Sequence, residues 1–219
     1  GNGSIDNVTL KGSKEFGSDS LYVKDMKVQI YDKKDSLYEE ISVDGNDEGY
    51  APEIFLGNFN NDKAEEILIS VASGGSGGMS TYSLLSFNGN KAMNLLDQEK
   101  FSRGLGFDVT YKDGFKAEVF VKEMNKTFTI DIIRKKEMYI ENEMYTKEGK
   151  LITQLGGMYN PLSDLKAIDI DGDGILELIG TQYALGTSNA ETLGCVQSTW
   201  KMDNEKIKLV DVKVSEFID

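Results

Sequence analysis

The chain has 219 residues, 39% hydrophobic and 28% charged, with 24 Lys+Arg against 37 Asp+Glu and a net charge of −13. That length suits one domain of ordinary size, or two small ones, with a real core, the composition excludes a disordered tail, and the acidity repels polyanions and so excludes nucleic acid as a partner. No apolar run exceeds three residues, as at Leu21 to Val23 and Ile54 to Leu56, far short of the about 20 that a membrane-spanning helix needs.

The chain opens at Gly1 without a Met, as expected from removal of a leader or trimming. Met26, Val28 and Ile30 then alternate with Lys27 and Gln29, the period-two pattern of a half-buried strand. That strand reaches Tyr31 and a polar turn at Asp32-Lys33-Lys34. The same unit of strand, aromatic and polar turn returns at Phe87 before Asn88-Gly89-Asn90, at Tyr145 before Lys147-Glu148-Gly149-Lys150, and at Trp200 before Asp203-Asn204-Glu205. The four aromatics are 56, 58 and 55 residues apart, which reads as four modules, about 1–50, 51–105, 106–160 and 161–219, of a single domain. Between these landmarks Ala117, Val119 and Val121, then Phe128, Ile130 and Ile132, again alternate with polar neighbours. Lys112-Asp113-Gly114-Phe115 reads as a hairpin turn. The stretches 91–100 and 134–148 are rich in helix formers, but the register of the repeat places strands or hairpins there.

Sheets of about 55 residues each cannot bury their faces alone. Stacked around an axis they cover one another. The expected fold is therefore all-β, a β-propeller-like array of about four antiparallel blades, with a sandwich or solenoid of the same hairpins as the alternative.

One loop carries chemistry. Asp169, Asp171 and Asp173 occupy positions 1, 3 and 5, Gly174 follows at 6, and Glu177 stands at 9. Carboxylates at alternate positions of a tight loop converge on one point, and Ca2+ takes six to eight oxygens. The carbonyl of Ile175, at position 7, is the natural further donor. Position 12, where an EF-hand carries Glu, is Gly180, and the flanks read as strands. A weaker copy places Asn58, Asn60, Asp62, Ala64 and Glu66 at positions 1, 3, 5, 7 and 9, with Lys63 where the glycine would be, so that a cationic side chain stands in part for the ion. Residues 1–8 match the second half of the same loop. Magnesium prefers strict octahedral geometry, and zinc finds no His and a single Cys.

Gly57-Asn58-Phe59-Asn60-Asn61-Asp62 and Asp169-Ile170-Asp171-Gly172-Asp173-Gly174 resemble the FG-GAP or VCBS repeat, the calcium-loop blade of integrin-α-type propellers. The chain is also similar to small exported proteins of Gram-positive bacteria that carry such repeats. The resemblance implies a blade whose first two strands are joined by a calcium loop. It also implies an extracellular or cell-envelope location.

The absence of His removes Ser-His and Cys-His catalysis, and Cys195, without a second Cys to pair with, reads as a small core residue. Gly74-Gly75-Ser76-Gly77-Gly78 precedes a strand pattern, not a helix, so it reads as a strand-to-strand loop instead of a phosphate cradle. It corresponds in register to the small-residue stretch 184–194, and the two loops on one face would form a recognition surface. Trp200 shares its repeat position with Tyr31, Phe87 and Tyr145, which reads as a hairpin aromatic before a sugar platform. The expected function is a non-enzymatic module that binds an unknown protein or glycan at the cell surface. The alternatives are an envelope polysaccharide hydrolase working through acidic residues and a purely structural coat protein.

Overall fold

The computed structural model describes residues 7–32, 34, 36–43, 45–60, 64–75, 78–88, 91–203 and 206–217. Strand accounts for 56% and helix for 7%, so the chain is all-β. In order it runs β1 (Asn7–Ser13), β2 (Tyr22–Asp32), β3 (Leu37–Ser42), β4 (Gly49–Gly57), β5 (Glu66–Ala72), β6 (Ser80–Asn88), β7 (Lys91–Asn94), α1 (Gln98–Arg103), β8 (Phe107–Lys112), β9 (Lys116–Val121), β10 (Lys126–Asp131), a 3-10 turn (Ile133–Lys135), α2 (Lys136–Glu141), β11 (Met158–Tyr159), β12 (Asp164–Ile168), β13 (Glu177–Leu185), β14 (Thr192–Asp203) and β15 (Lys206–Glu216).

Two compact units arise from interleaved segments. The first comprises Gly1–Ser102, Leu165–Leu178 and Trp200–Leu209, and the second Arg103–Asp164, Ile179–Thr199 and Val210–Asp219. The sheet β1-β2-β4-β5-β6-β7, with β3 added on β2, builds most of the first unit. Alternation buries Met26, Val28 and Ile30 of β2 to 3% exposure or less, against Ile67, Ile69 and Val71 of β5 and against Val43 and Leu85. Central strand β5, paired with β4 on one edge and β6 on the other, reads as a near-continuous buried run. Each such side chain contributes about 1.5–3 kcal/mol by leaving water.

In the second unit, β10-β9-β8 form an antiparallel sheet. Phe107, Val109 and Tyr111 of β8 and Ala117, Val119 and Val121 of β9 are buried. The remaining sheet has the order β11-β13-β14-β15, with β12 on β13.

Four separate blades are not shown. The described strands form sheets of seven, three and five, because the modules share their strands across longer sheets instead of closing on themselves. The hairpins are as expected around Tyr31 (β2–β3) and Phe87 (β6–β7) and at the Gly114 turn (β8–β9). The Tyr145 turn is closed by a Tyr145–Leu151 bridge.

The reading of 91–100 and 134–148 as strands needs correction. Only Lys91–Asn94 pairs as strand, and α1 begins at Gln98. Residues 133–141 form the 3-10 turn and α2, which buries Tyr139. Helix-forming composition prevails there because one buried aromatic is enough to hold a short amphipathic turn.

Candidate metal centre

The 169–176 loop joins β12 to β13 and is held by its own carboxylates. Asp169 accepts from Gly172 N (Oδ1, 2.7 Å) and from Gly174 N (Oδ2, 3.0 Å). Asp171 Oδ1 accepts from Asp173 N at 3.3 Å, and Asp173 Oδ1 from Ile175 N at 2.8 Å. Glu177 Oε2 closes the loop by accepting from Ile170 N at 3.0 Å. These are the side-chain-to-backbone bonds by which Asp favours turns over regular structure. Gly174, at φ +85°, adopts the left-handed conformation that costs other residues energy.

With one oxygen each committed to backbone, Asp171, Asp173 and Glu177 point the other at a single place. Lys201 of β14 holds it. Its ammonium lies 3.1 Å from Asp171 Oδ2, 3.1 Å from Asp173 Oδ2 and 2.9 Å from Glu177 Oε1. The Glu177 side chain is only 4% exposed, against 56% and 41% for the two aspartates. The carboxylates of Glu177, then Asp173, then Asp171 hold the lysine well above its ordinary pKa. Asp173 is held below the usual carboxylate range, first by Ile175 N–H and then by Lys201. Carboxylate oxygens of Asp169, Asp171 and Glu177 all lie within 4.8 Å of one another.

The expected ligands are therefore brought together unequally. Asp169, Asp171 and Glu177 form the compact triad, Asp173 joins through Lys201, and Ile175 enters by its N–H. Lys201 escapes sequence reading, since it lies 24 residues beyond Glu177 and meets it only through the pairing of strands. The one available signal is that it follows Trp200, the aromatic of the last hairpin.

The weaker loop, between β4 and β5, repeats the closure. Glu66, fully buried, accepts from Phe59 N at 2.9 Å (Oε2) and from the Asn60 side-chain amide at 2.7 Å (Oε1). Asn58 turns toward the first loop, its carbonyl accepting from Leu176 N at 2.8 Å and its amide reaching Gly174 O at 3.4 Å. Ala64 lies in the same connection, while Asp62 and Lys63 fall outside the described residues.

A carboxylate–tyrosine cluster, in the second unit, was not legible in the sequence. Glu191 Oε1 accepts from Tyr111 (2.9 Å) and Tyr139 (2.6 Å), and Oε2 from Thr187 N (3.1 Å). Burial, then the carboxylate, raises both phenols well above their ordinary pKa, and burial pushes Tyr145 up to about 12. The two phenol contacts tie the 186–191 loop to β8 and α2, and the Thr187 contact closes the loop on itself, so the cluster reads as a staple. Cys195 is half-buried, and burial raises its thiol pKa, away from nucleophilic use. Trp200 packs on Phe101 at 5.2 Å between ring centroids.

Fold and loop together define an all-β protein with an acidic, lysine-filled turn between two strands. The family described as YybI C-terminal domain matches residues 105–215. The Bacillus subtilis (strain 168) protein named Uncharacterized protein YybI is 32% identical over 206 residues, which are 94% of this chain and 77% of that protein. The chain belongs to the YybI family. No solved structure matches.

This overturns the FG-GAP/VCBS resemblance drawn from the two loops. A nine-residue acidic turn that satisfies its own backbone is a local solution open to many strand connections. It does not carry the topology of a blade.

Proposed function

We propose that this chain is a calcium-binding β-protein that acts as a non-catalytic interaction module at the cell envelope or outside the cell, toward a protein or glycan. The observation that carries the reading is the convergence of Asp169, Asp171 and Glu177 oxygens within 4.8 Å of one another. The donor set is all oxygen and charged, which fits a hard cation, and Ca2+ accepts irregular oxygen geometry where Mg2+ demands a near-ideal octahedron. When bound, the ion would neutralise the loop's excess negative charge and tie β12 to β13. Asp173 stands beside the triad as a further donor.

The location follows from strength. A loop whose acids already serve its backbone and a lysine binds weakly, and weak calcium sites, with dissociation constants of about 10⁻⁴–10⁻³ M, belong to extracellular modules. The clustered acids are engaged in holding the turn, which favours a binding role over acid–base catalysis.

The test is thermal unfolding with and without millimolar CaCl2. Binding only to the folded form raises stability by about 2.7 kcal/mol at a hundredfold excess over the dissociation constant. The melting temperature is expected to rise in the native chain and not in Asp171→Ala. Identical curves with and without calcium would contradict the reading.

A further inference from the structure

Lys201 occupies the position that a cation would take. Its nitrogen is within 3.1 Å of three carboxylates from the loop. The decisive contact is Glu177. This side chain is almost wholly buried, one oxygen is bound to Ile170 N, and the other, Oε1, meets the ammonium at 2.9 Å. A buried carboxylate oxygen stripped of its cation is strongly disfavoured, so it requires either the lysine or a replacement of the same sign. A metal ion and an ammonium cannot share the space, because each would stand within about 3 Å of the same oxygens.

We infer that Lys201 is a built-in competitor for the metal. It fills the site in the ion-free protein and must swing out into solvent when a divalent cation enters. This inference rests on the cation-site reading above and adds its regulation. The side chain is 30% exposed and sits on a flexible four-carbon stem. Two consequences follow. The ion-free loop is held closed, so its carboxylates do not repel one another. Calcium affinity is lowered by the cost of expelling the lysine, which sets the concentration at which the protein responds.

The experiment compares the native chain with Lys201→Met, which keeps the stem and removes the charge. Calcium is titrated by calorimetry at constant ionic strength. The variant is expected to bind Ca2+ at least tenfold more tightly, and to melt lower than the native chain without calcium but not with it. Saturable binding of equal affinity in both proteins would overturn the competitor while leaving the metal site standing. No binding in either would overturn the metal reading itself.

Because the variant leaves Glu177 unpaired and is at risk of not folding, a second measurement uses the native chain. Its lysines are reductively methylated with 13C, which preserves their charge, and the Lys201 signal is assigned by its loss in Lys201→Arg. That signal is expected to move saturably toward the solvent-exposed position as CaCl2 is added. A signal that stays fixed while calcium binds would overturn the inference.

Discussion

The Ile170 amide donates to Glu177 Oε2 at 3.0 Å, across seven residues of loop. The same closure recurs at the same spacing in the other loop, where Phe59 N donates to Glu66 Oε2 at 2.9 Å. Both link a position-2 amide to a position-9 glutamate that is also the first residue of the following strand. The acid thereby sets where the loop ends and where pairing begins.

Glu66 is accordingly a structural residue of the first unit. Glu66→Ala leaves the Phe59 amide and the Asn60 side chain without this acceptor. At about 1–3 kcal/mol for each unsatisfied donor, the expected loss is about 3 kcal/mol in urea unfolding. Glu66→Gln keeps one acceptor oxygen and is expected to lose about half as much. Equal stability of all three proteins would show that the closure contributes nothing.

Gly174 has φ +85°, and a Cβ there would meet nothing within 4 Å. The cost of Gly174→Ala is therefore conformational alone, about 1–2 kcal/mol, or about 2–8 °C in melting temperature for a chain of this size. Gly174→Asn is expected to cost less, since Asn tolerates this region. Calorimetric melting that ranks Asn below Ala in stability would count against this assignment.

Much of the sheet framework was legible because its signals are local. Alternation at Met26, Val28 and Ile30, and at Ala117, Val119 and Val121, declares a strand with one buried face, and the polar turns after Tyr31 and Phe87 declare hairpins. The acids of the 169–177 loop were legible for the same reason, since consecutive residues build the turn. Lys201 was not, because its meeting with Glu177 depends on which strands pair. Glu191 stands among small residues in the 184–194 stretch, and its partners Tyr111 and Tyr139 lie 80 and 52 residues upstream. Equal aromatic spacing also misled: it favoured strands at 134–148, where Tyr139 and its helix-forming neighbours make α2, and it suggested closed blades where the strands join longer sheets.

The Glu191 staple gives the second unit a defined alkaline limit. Tyr111 and Tyr139 have folded-state pKa values raised above the ordinary 10.0. Below pH 10 the phenols are neutral whether the chain is folded or unfolded, and their contribution is fully present. Above pH 10 the unfolded chain loses protons that the folded chain keeps, so stability falls as pH rises. Urea unfolding is expected to show no dependence on these groups up to about pH 9 and a steady loss from about pH 10 upward. Tyr139→Phe removes the 2.6 Å bond to a buried carboxylate and is expected to cost about 1.5–3 kcal/mol at neutral pH. A Tyr139→Phe chain as stable as the native one would show that Glu191 is held by its other contacts alone.

The most direct test of the cation site is equilibrium dialysis against radioactive calcium at millimolar concentration and constant ionic strength. The site predicts one saturable calcium per chain, lost in Asp171→Asn and retained in Asn60→Ala, where only the other loop is altered. A native chain that retains no calcium above the buffer, or one whose binding is untouched by Asp171→Asn, would contradict it.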